Sequence, residues 1–427
     1  MEEDLRSSDW VARAFGALGV LLLAVTAGLV FWPDSERATP ATAAPVESAA
    51  PDLPTMLEQK VSGVLQGQID ALLNGDEKAW LAPVDPKVRS RYRAIYRNLR
   101  GLEVSRADYD VKVLDRSTES AVNTRVTLGY CLSAAARCPT WDERSEAGAP
   151  KVLYDLTFTL RRGAYVVTSM TDVKNKNYLQ PTPWENTELR FVRGKRVIVA
   201  GPAGQARNLK RVLTAAEKAA AVVDRFTTEK PDRYRIYLAD DKAWKRWYGG
   251  KLSKWVVGYH IALNQTGSDI VLKASEVLDS TRQLGLTVQH EMAHAATLVP
   301  STNQDPQKDL WLIEGIAEYI GFNPEQPQRT ESRYALQTWI RKHGDIKSIV
   351  RPELTEKSDD LTVSALYATG HYAVGCMVDQ YGQDRTLDFV KRVVRDGQEL
   401  DPASRASFGS PFTTVDRACV RWIKQRV

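Results

Sequence analysis

Apolar residues first recur at helical spacing at Leu57, Val61, Val64, Leu65, Ile69, Leu72 and Leu73, which predicts a helix over 56–73 closed by the turn signal Asn74-Gly75. A shorter helix over 77–82 and a third over 87–99 follow. The period then drops to two. Apolar and polar residues alternate over 109–114, 121–130, 152–160 and 165–171, and Arg162-Gly163 reads as a hairpin turn. Helices followed by an antiparallel sheet predict an α+β unit over 55–175. After a Pro-containing linker at 176–186, the pattern gives a hairpin around Arg193-Gly194, a long Ala- and Lys-rich helix over 204–226, a strand at 234–238, a short helix at 240–248 and a strand at 270–272. Next comes a helix with the stripe Leu284, Val288, Met292, Ala295 and Val299, opened by an S-x-x-Q capping pair, Ser280 and Gln283, and stopped by Pro300. A strongly apolar helix over 311–319 succeeds it, and another long helical pattern begins near Leu366.

The N-terminal pattern is of a different kind. Residues 14–32 carry no charge, close to the ~20 apolar positions of a bilayer-spanning helix. Arg6 and Arg13 precede them, so the expectation is a cytoplasmic segment at 1–13, a transmembrane anchor at 14–32, a Pro/Ala-rich stalk at 33–54 and everything beyond outside the cell membrane. A cleaved signal peptide, with small residues at Ala41 to Ala44, is the rival reading. In a chain of 427 residues, the net charge of +5 comes from well-mixed Lys/Arg and Asp/Glu, without a basic run or zinc-knuckle cysteines, so no nucleic-acid partner is expected. Arg89, Arg91, Arg93, Arg97 and Arg100 alternate with Tyr92, Ile95, Tyr96 and Leu99, as on the wet side of an amphipathic helix. The four cysteines allow three pairings, of which Cys131–Cys138 with Cys376–Cys419 is the local one.

The chemistry sits on the Ser280-capped helix, in His290-Glu291-Met292-Ala293-His294. Two histidines one turn apart can turn both imidazoles to a single ion, while Glu291 can reach a water beside it. A third ligand has to come from elsewhere. Glu314, 20 residues after His294 in WLIEGIAEY, is the candidate, and Glu318 shares its face one turn on. Two carboxylates on so apolar a segment need partners, which an ion and a ligand histidine would provide. The alternative is a set of capping or salt-bridging glutamates with two satisfied histidines.

Together, HEMAH and WLIEGIAEY resemble the gluzincin metallopeptidases, the thermolysin and aminopeptidase clan, most closely their peptidase MA-like members. The resemblance implies a zinc peptidase domain over 187–427 with a sheet lobe and a helical lobe. His290, His294 and Glu314 would be the Zn2+ ligands, Glu291 the general base, and Glu318 the carboxylate behind a ligand histidine. Tyr367, in Tyr367-Ala368-Thr369-Gly370, looks like the tyrosine of that clan's aminopeptidases that hydrogen-bonds the oxyanion, with His371 and Tyr372 in reserve. His260 and His343 lack a motif and read as surface or packing residues. Ile270-Val271-Leu272 is the candidate sheet edge for pairing with an extended peptide or protein substrate, with an ordinary internal strand as the alternative. The G-x-M-E-N segment by which the aminopeptidases hold a free N-terminus is missing from 264–273, which points toward internal peptide bonds. The helix-then-sheet order of 55–175, with LLNGDEKAWLAPVDP at 72–86, resembles the nuclear transport factor 2-like (cystatin-like) fold. The competing functional class is a catalytically silent surface binding or regulatory module on the same scaffold.

Overall fold

The computed structural model describes residues 52–133, 149–173, 179–227, 229–250, 256–263, 267–301, 303, 305–355 and 357–427. Helix α1 (Leu53–Asn74) is capped by Asp52, whose carboxylate accepts from the Thr55 amide at 3.0 Å. It ends at Gly75 in the left-handed region (φ 78°), where a side chain would be strained. Its stripe of Leu57, Val61, Leu65, Ile69 and Leu72 is buried, with α2 (Glu77–Leu81) and α3 (Arg89–Gly101), against an antiparallel sheet. That sheet runs in chain order as β1 (Val104–Val113), β2 (Ala121–Leu132), β3 (Lys151–Arg161) and β4 (Ala164–Asp172). Arg162 and Gly163 both take positive φ, 51° and 82°, in the turn joining β3 to β4.

The arginines of α3 are held within the fold. Arg91 reaches Met170 O and Asp172, Arg93 and Arg97 bind Glu77, Arg89 binds Val84 O, and Arg100 binds Leu73 O.

A second sheet has the order β5-β6-β7-β9-β8, from β5 (Leu189–Arg193), β6 (Val197–Pro202), β7 (Tyr234–Ala239), β8 (Gly258–Ala262) and β9 (Ser268–Lys273). Its three middle strands are parallel and both edges antiparallel. Two expectations change here. The strand around Ile270 is interior, because β8, which the sequence reading passed over, lies outside it. The long helix also begins later, at Leu209, after a 3-10 turn over Ala203–Asn208.

One face of this sheet packs on α4 (Leu209–Val223) and the helices beyond, and the other shares a hydrophobic cluster with the first sheet and its helices. Residues 180–186, read as a linker, are built into that junction. Trp184 is fully buried, and the Glu185 carboxylate accepts from the Thr182 amide, Gln180 Nε2 and Tyr154 Oη at 2.6–2.8 Å.

Besides single turns at Pro183–Asn186, Asp241–Trp244 and Ala274–Val277, the described residues form the helices α5 (Thr281–Thr297), α6 (Leu310–Gly321), α7 (Glu331–His343), α8 (Asp360–Tyr381), α9 (Gln383–Val390), α10 (Leu400–Phe408) and α11 (Phe412–Lys424). Cys376 of α8 is disulfide-bonded to Cys419 of α11, Cα to Cα 5.6 Å, as in the local pairing; Cys138 lies outside the described residues.

The expected transmembrane helix, and with it the single-pass cell-membrane location and extracellular catalytic region, is corrected. No helix among the described residues is long and apolar enough to cross a membrane. The two longest have 22 residues each. α1 carries Glu58, Lys60 and Asp70, and α8 buries its apolar length, Val363 to Met377, inside the protein. Residues 14–32, and 33–51 of the stalk, lie outside the described residues.

Candidate metal centre

Helix α5 starts where Ser280 Oγ accepts from the Gln283 amide at 2.9 Å; the Gln283 side chain bonds Thr287 rather than completing the reciprocal box. From His290 to Thr297 every residue is buried, so the histidines do not face solvent but lie between α6 and β8. Apart from Tyr319, α6 is buried over its whole length, including Glu314 at 0% and Glu318 at 2% exposure. Ionised carboxylates in such surroundings are costly unless paired.

Their pairing is what α5 provides. Glu314 Oε2 stands 3.2 Å from His290 Nε2 and 3.5 Å from His294 Nε2, and the two Nε2 atoms are 2.9 Å apart. On the far side of the His290 ring, Nδ1 lies 3.0 Å from Glu318 Oε1. A proton held at Nδ1 leaves the Nε2 lone pair facing its two neighbours. Burial works against a charged His290, but Glu314 and Glu318 outweigh it and lift its pKa to about 10. His294 has only Glu314 to oppose burial and is pushed down. Burial tends to raise Glu314, yet the two histidines hold it below the ordinary range; Glu318 is raised by its burial.

With one proton kept at His290 Nδ1 and the other given up to an incoming metal, two nitrogen lone pairs and one carboxylate oxygen converge, 2.9–3.5 Å from one another. Ligand atoms in a tetrahedral zinc site with bonds of about 2.0–2.1 Å stand roughly 3.3 Å apart. These three residues also form the group among the described residues whose ligand atoms suit a metal ion. The donor set and its spacing fit zinc with one position left open.

Glu291 is 1% exposed, and among the described residues neither of its carboxylate oxygens has a hydrogen-bond partner. Burial, opposed by His290 and aided by Glu314, raises its pKa to about 8. It lies directly against β8, since a Cβ at Gly258 would stand 2.9 Å from Glu291 Oε1 and 3.1 Å from Thr287 Cγ2. Glycine there lets the strand pass over the carboxylate.

Helix α8 brings Tyr367. Gly315 of α6 and Gly370 of α8 meet backbone to backbone; a Cβ on Gly370 would fall 2.2 Å from Trp311 O. This close approach sets the Tyr367 ring 6.2 Å from the His290 ring, inclined at 27°. Burial and the Glu314, Glu318 and Glu291 carboxylates hold its phenol well above the ordinary pKa. The reserve residues are engaged elsewhere. His371 Nδ1 is 2.9 Å from Ser332 Oγ with its ring stacked on Phe322, and Tyr372 packs edge-on to Trp422.

His260, read as a surface or packing residue, packs beside the site. It is buried on β8, its Nε2 2.7 Å from Ser268 Oγ and its ring 6.3 Å from that of His294. Burial pushes it to about 3, so it is neutral. The signal was the alternation Gly258, His260, Ala262 against Tyr259, Ile261, too short to stand out as a strand. His343 is exposed and stacks on Trp339, as a packing histidine does.

No family model matches the sequence, and no curated protein matches it. Among solved structures, native yeast LTA4 hydrolase is similar at 12% identity and a TM-score of 0.37, over 74% of this chain and 59% of that one. The chain thus spans less than two thirds of that protein. A protein described as a polyketide cyclase from Xanthomonas campestris pv. campestris is similar at 18% identity and a TM-score of 0.18, over 28% of this chain and 92% of its own. Both likenesses are distant, and the functional argument rests on the site.

Proposed function

We propose that the chain is a zinc-dependent hydrolase of the gluzincin type that cleaves peptide bonds. The observation that carries this reading is the convergence of His290 Nε2, His294 Nε2 and Glu314 Oε2 within 3.5 Å of one another in the buried interior. Zinc held by these three would supply Lewis acidity and a water of lowered pKa. Glu291, buried with neither carboxylate oxygen hydrogen-bonded among the described residues, takes a proton from the attacking water and passes it to the leaving amine. Glu318 keeps the His290 Nδ1 proton in place, so that Nε2 presents its lone pair. Tyr367 donates a hydrogen bond to the oxygen on which negative charge develops.

The substrate reading follows from the strand over the site. Val257 O accepts from Lys273 N and Leu263 N donates to Gly267 O, so in this antiparallel pair the backbone groups of Gly258, His260 and Ala262 point away from β9. An extended peptide added at that edge would pair with these three residues. The strand itself carries no carboxylate for a free amino group, which favours internal peptide bonds. Residues 55–175 we read as nuclear transport factor 2-like, with no chemistry of their own.

The test is elemental analysis of protein purified without chelator, together with cleavage of a peptide library by wild type and by Glu291→Gln. One equivalent of zinc in both proteins, with cleavage by wild type alone and its loss on chelation, is the expected result. Undiminished cleavage by Glu291→Gln would remove the mechanism, whereas zinc without cleavage in wild type would favour the silent binding module.

A further inference from the structure

The residue before the first histidine, Gln289, reaches from α5 to the end of α6. Its Nε2 lies 2.7 Å from Ile320 O, 3.1 Å from Gly321 O and 3.3 Å from Asn323 O. The last carbonyls of a helix lack the intrahelical donors of its interior; Ile320 O accepts from Asn323 N at 3.1 Å, and the Gln289 amide adds a donor from the neighbouring helix to this end of α6. The two backbones also approach closely here. A Cβ on Gly321 would stand 3.3 Å from His290 Cβ and 3.5 Å from His290 Cα, so the end of α6 rests on the backbone that carries the histidine. Beyond it, Arg225 donates to Asn323 Oδ1 at 2.9 Å and steadies the outer side of the turn.

The geometry makes this end of α6 a reference point. Glu318 lies one turn before Gly321 and Glu314 about two, on one stiff helix. Where α6 sits on α5 therefore sets how far both carboxylates reach toward His290. The tolerance is small, because metal–ligand distances hold to within about 0.2 Å.

We propose that Gln289 is a positioning residue for the metal centre: by pinning the end of α6 to α5, its amide fixes the reach of Glu314 and Glu318 to His290. The inference rests on the zinc reading above. It separates from a purely stabilising role, since a helix cap that only stabilises lowers the melting temperature without altering the affinity of the folded protein for metal.

The experiment uses the full chain and the variants Gln289→Met, which keeps the length and removes the donor, and Gln289→Asn, which withdraws the amide by one methylene. Ser280→Ala, which removes the N-cap of the same helix, serves as the stability control. Zinc affinity is measured by competition with a chromophoric chelator at a temperature where circular dichroism shows each protein folded, and the visible spectrum is recorded after cobalt(II) substitution. The expected result is roughly 10-fold weaker zinc binding and an altered cobalt spectrum for both Gln289 variants, the effect typical of losing a support behind the ligands, with neither change in Ser280→Ala. If Gln289→Met does not fold, the Asn variant decides by the same criteria. Wild-type affinity and spectrum in a folded Gln289 variant overturn this inference and leave the zinc reading standing. A wild-type chain that takes up no zinc overturns both.

Discussion

Glu318 is 2% exposed and raised in pKa by its burial, yet it stands 3.0 Å from His290 Nδ1. On the zinc reading, a carboxylate kept in such a place at the cost of desolvation would hold the Nδ1 proton of the ring beside it and sharpen the Nε2 lone pair. Glu318→Gln is expected to keep the fold and to weaken zinc binding about 10–100-fold in chelator competition. Unchanged affinity would reduce Glu318 to a packing residue. At this scale the sequence was most legible. The spacing of His290, Glu291 and His294 is a local property of one helix, and Glu314 and Glu318 stand out because charge on so apolar a segment demands partners. His260 was hidden, because the proximity of its ring to His294 comes from the crossing of a strand over a helix.

Between elements, the decisive contacts are made by residues without side chains. Gly315 and Gly370 let α6 and α8 touch, Gly321 lets α6 rest on His290, and Gly258 lets β8 pass over Glu291. Gly370→Ala would put a methyl 2.2 Å from Trp311 O and drive α8 away from α6. We expect roughly 2–3 kcal/mol of destabilisation in chemical unfolding, typical of overpacking, and a larger loss of kcat than of substrate binding as Tyr367 moves out of reach. Wild-type stability and turnover in that variant would contradict the arrangement. The helices around the site, α5, α6 and α8, were readable from their apolar stripes, whereas α7 and α9 to α11 went unread, and so did β8, since five residues give a period-two pattern little room to show.

Across the whole molecule, the second sheet is covered on one face by α4 and the later helices and on the other by the first sheet with its helices. Tyr237, Val271, Ile198 and Ala200 belong to the same buried cluster as Leu65, Tyr130 and Trp184. A chain cut to begin at residue 187 would expose that face and lose Trp184 and the Glu185 junction. It is expected to aggregate or to melt well below the full protein in a thermal shift assay, with metal uptake reduced accordingly. A truncated chain as stable as the whole would show that the first unit is an appendage. The apolar and alternating patterns revealed both sheets' main strands, but not that one core runs through the first unit and the second sheet. That depends on which faces meet, and each face reads simply as apolar.

The sequence by itself determined what lies along one helix or strand: the period of its clearest elements, the cap at Ser280, the pair of histidines one turn apart, and the acidic pair on α6. Those follow from propensity and spacing, which act within a few residues. Only the tertiary structure decided which strand forms the sheet edge, that His260 stands beside His294, that Gln289 reaches the end of α6, and that Glu314 completes a triangle of donor atoms 2.9–3.5 Å on a side. Such distances arise where separate elements pack, and close packing fixes positions that no local pattern encodes.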